Sequence, residues 1–146
     1  MTKERLYCTF FLGEHFLGVE AVKVQEVIRY QEMTPVPLSP PEVTGLINLR
    51  GQIVTAIDLA RRLELGDERP EGKTPMNVVV HSGDGAVSLL VDEIGDVIDV
   101  GEYAFERPPE TVKGTARELI RGAYKLPGRL LLALDVEKVV DIKVQV

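Results

Sequence analysis

Leu6, Cys8, Phe10 and Leu12 recur at every second position, Gly13-Glu14 interrupts them, and another apolar stretch runs from Phe16 to Glu20. Successive side chains of a strand point to opposite faces, so period-two alternation broken by a Gly-Glu pair predicts a β-hairpin. The pattern returns farther along, where Val78 to His81 and Ala86 to Asp92 flank Gly83-Asp84-Gly85. Each hairpin is followed by an acid and a further apolar segment, Glu20 to Ile28 in one case and Asp92 to Ile98 in the other.

A second regularity has a longer period. Gly45 to Leu63 lies on Gly122 to Val140 without a gap, at a constant offset of 77 residues. Five positions are identical: Gly45/Gly122, Leu49/Leu126, Gly51/Gly128, Ala56/Ala133 and Asp58/Asp135. Apolar residues also face apolar residues at Ile53/Leu130, Val54/Leu131, Ile57/Leu134, Leu59/Val136 and Leu63/Val140. An internal match at long period means a fold assembled from two related units. The unit reads strand, tight turn, strand, short helix. With its preceding hairpin and post-hairpin segment it supplies five short strands, which predicts an all-β fold of two small antiparallel barrels. Residues 1–146 form one domain on this reading, with sequence halves at about 5–65 and 76–142 and exchange of strands between them left open.

Local chemistry refines the units. Asp58 and Asp135 each close a strand ahead of a helical stretch, Leu59 to Leu65 and Val136 to Val140, and are expected to cap it by accepting from a free N–H of its first turn. In Leu126-Pro127-Gly128-Arg129, Pro presets φ at the first central position and Gly tolerates positive φ at the second. The first unit has Leu49-Arg50-Gly51-Gln52, where the turn does not require an arginine. Arg50 is then either a solvated turn residue or a guanidinium placed for a carboxylate, and Glu26 is the carboxylate proposed to meet it. Pro35, Pro37, Pro40 and Pro41 predict an extended polyproline segment. Gly66 to Pro75 is a polar connector, and Gly101 to Glu118 a second long excursion.

Composition removes several functional classes. The chain carries 23 acids against 17 Lys and Arg, a formal charge of −6, and no basic run longer than Arg61-Arg62. Nucleic acid is an unsuited partner, because binding it requires a basic surface to replace phosphate counterions. Met1 to Arg5 has no apolar region behind it, and the longest apolar run, Leu130 to Leu134, is too short to span a bilayer. A soluble cytoplasmic protein without membrane insertion is expected. The single cysteine, Cys8, reads as a small core hydrophobe. His15 and His81 lack partners at metal-ligand spacing and read as exposed hairpin residues. Ser39, Ser82 and Ser88 sit in no nucleophile motif. No catalytic centre, metal site or cofactor is expected.

The string Val22 to Ile28 (VKVQEVI), then Thr34-Pro35-Val36-Pro37, Gly45 to Gly51 (GLINLRG), Asp58-Leu59 and Leu90 to Val97 (LVDEIGDV) closely resembles the CheW-type chemotaxis coupling proteins, in order over nearly the whole chain. The resemblance implies two five-stranded SH3-like barrels over a shared hydrophobic core and no catalytic activity. It implies an adaptor, monomeric in isolation, that couples transmembrane chemoreceptors to the histidine kinase CheA within receptor arrays. The receptor's helical hairpin tip would dock between the barrels, and the kinase regulatory domain mainly on the second. Val24, Glu26, Gly45, Asn48, Arg50 and Val97 match the family's functional surface, with Val24 and Val97 taken as counterparts in the two post-hairpin segments. Thr55 stands where members often carry Pro, which puts local strand pairing in question. Alternatives are a coupling module of a larger CheV-type or CheA-type protein, a ligand-binding barrel, or a hydrolase using acids on the long loops.

Overall fold

A computed structural model describes residues 5–65, 74–83 and 85–142. The first half contributes β1 (Leu6–Leu12), β2 (His15–Glu20), β3 (Val24–Arg29), β4 (Val43–Leu49), β5 (Gln52–Asp58) and the one-turn helix α1 (Leu59–Arg62). The second contributes β6 (Met76–Ser82), β7 (Gly85–Val91), β8 (Glu93–Asp99), β9 (Phe105–Glu106), α2 (Gly114–Leu119), β10 (Ile120–Leu126), β11 (Arg129–Leu134) and α3 (Val136–Val140). Most of the Gly66 to Pro75 connector, residues 66–73, lies outside the described residues.

The mainly β architecture is as read, and its strands are traded between halves. One sheet runs β8-β1-β2-β11-β10-β9 and the other β3-β6-β7-β5-β4. The β1–β2 hairpin of the first half thus joins the β10–β11 repeat of the second, while β6–β7 joins β4–β5. The joins are parallel ladders, Leu17 to Leu132 and Val87 to Thr55, so both sheets are mixed and the purely antiparallel expectation is corrected. The cause is topological: a hairpin laid beside another unit's second strand can meet it in either direction, and here both joins are parallel. Thr55 pairs with Leu46 on one side and Val87 on the other, which leaves the strand intact at the position in question.

The repeat extends into ladder irregularities. A register shift between Val43 and Gly45 in β4 recurs between Ile120 and Gly122 in β10. The hairpins β1–β2 and β6–β7 close at Leu12/His15 and Ser82/Gly85, an offset of 70 residues, and their third strands carry matching bulges after Val24 and Ile94.

Each identity of the repeat has a structural cause. A Cβ on Gly45 would stand 2.8 Å from the Thr34 carbonyl oxygen, and one on Gly122 2.5 Å from that of Glu106. Thr34 bridges to Leu46 and Glu106 pairs with Ala123, so each glycine admits a crossing strand. Ala56 and Ala133 are fully buried, and Leu49 and Leu126 nearly so. Asp58 accepts from the Arg61 N–H at 3.3 Å and Asp135 from that of Lys138 at 3.2 Å, the two caps read from sequence.

One core joins the sheets, with Phe10, Leu17 and Leu134 of the first packing with Ile57, Val80 and Leu89 of the second. Full burial of each such side chain contributes about 1.5–3 kcal/mol. Cys8 is partly buried against this core, and burial pushes its thiol pKa up. Arg62 at the end of α1 donates to the carbonyls of Val139 and Lys138 at 2.8 Å, tying the first unit's helix to the end of the second's.

Two loop expectations change. The proline-rich segment is not extended throughout: Ser39 N–H donates to Val36 O and Val43 N–H to Pro40 O, making two turns, and Leu38 takes φ +61°. Proline fixes φ and disfavours helix, but it is equally at home in turns. The Gly101 to Glu118 excursion contains β9 and most of α2, where Phe105 meets the Tyr124 ring and Ala116 packs into the core.

Candidate interaction surface

Of the sequence-selected residues, Glu26, Asn48 and Arg50 gather around the β4–β5 tip and the edge strand β3. A bulge between Val24 and Glu26 inserts an extra residue opposite β6, and such an insertion re-aims the side chain beside it. Glu26 faces the tip, where Arg50 Nη1 donates to Glu26 Oε1 at 3.1 Å and Nη2 donates to Oε2. The fork is bidentate, the geometry for which guanidinium is suited. Gln25 Nε2 adds a donation to Glu26 Oε2 at 3.3 Å. These hydrogen bonds, Arg50's foremost, hold the Glu26 carboxyl below its ordinary pKa, and the carboxylate raises that of Arg50. The Arg50 side chain remains 70% exposed, so the pair presents a guanidinium to solvent.

The tip is a primed turn. Arg50 and Gly51 take φ +52° and +87°, whereas in the second unit only Gly128 is positive, at +80°. Pro127 cannot enter the left-handed region, so the paired turns differ in type. Asn48 Oδ1 accepts from the Gly51 N–H at 2.9 Å and ties the base of the tip to its crown.

The other selected residues separate. Gly45 is buried beneath Thr34 and presents no side chain to a partner. Val24 is partly buried and packs on the main core, whereas Val97 is 59% exposed. The post-hairpin segments correspond, but these two residues do not. Val24 pairs with Val80 as Ile94 pairs with Phe10, and Val27 with Val78 as Val97 pairs with Cys8. Val97's counterpart is therefore Val27, also exposed. The pairing read from sequence was three residues out of register.

Other exposed apolar residues lie outside the set selected from sequence. Ile53, Val27 and Ile94 are exposed apolar side chains on the tip and the two edge strands. Ile53 and Leu130, apolar counterparts in the repeat, both lie next to the turns and are exposed. His15 and His81 are exposed, as expected. Among the described residues no helix is long and apolar enough to cross a membrane.

The CheW-like domain family model matches residues 6–144. Chemotaxis protein CheW of Treponema pallidum is 32% identical over 142 residues, covering 92% of this chain and 81% of its relative. Chemotaxis protein CheW of Bacillus subtilis is 31% identical, with 96% and 88% covered. The crystal structure of scaffolding protein TtCheW from Thermoanaerobacter tengcongensis superposes with a TM-score of 0.84 at 25% identity, covering 97% of this chain and 96% of the other. With a match that runs through both units and a fold shared nearly end to end, this chain belongs to the CheW-like family of chemotaxis scaffold proteins.

Proposed function

We propose that this protein is a non-catalytic cytoplasmic adaptor that couples transmembrane chemoreceptors to the histidine kinase CheA, working as a monomer recruited into receptor arrays. The observation that carries the reading is the solvent-facing Glu26–Arg50 pair on an Asn48-braced tip. Closing the hairpin does not call for an arginine, since the second unit closes its equivalent with Pro127-Gly128 in a turn of another type. A charged, pre-ordered crown beside an edge strand is suited to orienting a protein partner. Val97 offers an exposed apolar anchor on the other sheet's edge, the kind of side chain an amphipathic receptor hairpin covers. Gly45 supports this surface from below and Val24 anchors its strand to the core.

In a reconstituted assay, CheA stimulation requires receptor and this protein together. Val97→Glu lowers receptor-fragment affinity by about tenfold or more, the equivalent of about 1.4 kcal/mol. Its melting temperature stays near wild type because the site is exposed, and kinase-domain binding is retained. Unchanged receptor binding by the folded variant removes Val97 from the surface. Stimulation without this protein rejects the adaptor reading.

A further inference from the structure

Away from the Glu26–Arg50 tip, the β1–β2 hairpin, β11, the segment after α1 and the loop before α2 enclose a cavity of about 670 Å³. That volume lies within the range of small-molecule sites. Its floor is apolar, built from Leu17, Leu63, Ala116, Ile120 and Leu132, all buried in the core. One wall is stapled in place: Arg117 Nη1 donates to the carbonyls of Pro108, Pro109 and Val112 at 3.2, 2.9 and 3.1 Å. A pre-formed wall spares a ligand the cost of ordering it.

The rim supplies a positioned cation. The Arg129 guanidinium lies 3.8 Å from the centre of the Phe16 ring and 5.9 Å from that of Phe11. Among the described residues no carboxylate pairs with it. The aromatic face fixes the group while leaving its charge unneutralised. This arrangement is not required by the fold, because the counterparts of Arg129, Phe16 and Phe11 in the other unit are Gln52, Ala86 and His81. Lys113 adds a second cation, and Glu14 and Glu64 complete the rim. One negative charge is accommodated there, whereas a dianionic head would meet the two acids.

We propose that this cavity binds a single-headed carboxylate amphiphile, its chain on the apolar floor and its carboxylate on Arg129 with support from Lys113. The site is independent of the tip proposed for signalling partners.

The experiment titrates purified full-length protein with decanoate and with decanol, both below their micelle or solubility limits, by calorimetry and thermal shift. Decanoate binds saturably at one site, raises the melting temperature and binds about tenfold tighter than decanol. Arg129→Gln removes that preference and leaves decanol binding unchanged, and Val112→Trp, which fills the cavity from the loop, removes both. No saturable binding, equal affinity for the two amphiphiles, or wild-type affinity in folded Val112→Trp overturns the proposal. Should a variant fail to fold, the wild-type comparison of the two amphiphiles decides.

Discussion

The turns Leu49–Gln52 and Leu126–Arg129 close the same strand-turn-strand unit and are ordered by opposite means. The second uses covalent restriction, with Pro127 presetting one φ and Gly128 supplying the positive one at +80°. The first places Arg50 in the left-handed region at φ +52°, where a side chain is disfavoured, and holds it by hydrogen bonds to Glu26. Glu26 has Asp96 as its counterpart, and opposite it the second unit has only Pro127, so the ion pair belongs to one unit alone. Positions that both units keep are buried, sterically crowded, capping or, at Gly51 and Gly128, in the left-handed region; the ion pair peculiar to one unit lies at the surface. The same division separates the Arg129–Phe16 stack from Gln52 and Ala86.

The shared positions should cost most when broken. Gly122→Val drives a side chain into the Glu106 carbonyl and the Phe105 ring, both 2.5 Å from its Cβ. Overpacking of this kind costs about 1 to 3 kcal/mol. Urea denaturation should show that loss, with Gly45→Val somewhat milder because its nearest contact is 2.8 Å. Equal stability of wild type and Gly122→Val would show that the crossing strand does not need the glycine.

Cap removal tests whether the units are energetically as well as structurally alike. Asp58→Ala and Asp135→Ala should each cost about 1 kcal/mol in the same denaturation assay. A large inequality would mean that one helix is held by something other than its cap.

The tips should then respond in opposite ways. Pro127→Ala loses about 0.4 to 1 kcal/mol by freeing the unfolded chain, and leaves receptor and kinase binding alone. Arg50→Gly relieves the left-handed residue, keeps the melting temperature within a few degrees and weakens partner binding. A collapsed melting temperature in Arg50→Gly would assign the pair to structure instead.

The smallest effect is electrostatic. Glu26 has a lowered folded pKa, so its contribution to stability is present above the unfolded value and is lost as pH falls through the folded one. Arg50 stays charged over that range. Carboxyl NMR titration should place the Glu26 midpoint below that of ordinary glutamates in wild type and return it upward in Arg50→Ala. An unmoved midpoint would mean the pair is not populated in solution.

Much of this was legible beforehand because the relevant physics is local. Alternation along Leu6 to Leu12 gave β1, Gly83 marked the β6–β7 turn, and Asp58 and Asp135 announced helix starts through their own neighbours. The Glu26–Arg50 pair was legible for another reason: the repeat showed that Arg50 was not demanded by its turn. The three-residue error at Val24 and Val97 arose because each post-hairpin segment holds several apolar residues, so polarity alone does not fix which of them correspond.

Five strands in each half, turn positions, caps and the two-unit plan were thus determined by the sequence itself, through periodicity and side-chain-to-backbone chemistry within a few residues, whereas β9 was not. Tertiary structure alone decided that β1–β2 pairs with β11 and β6–β7 with β5. It also decided that Gly45 lies beneath Thr34, and that a cavity opens beside Arg129. These depend on which apolar faces meet across dozens of residues, and many pairings satisfy the same local pattern. Burial against a common core selects among them.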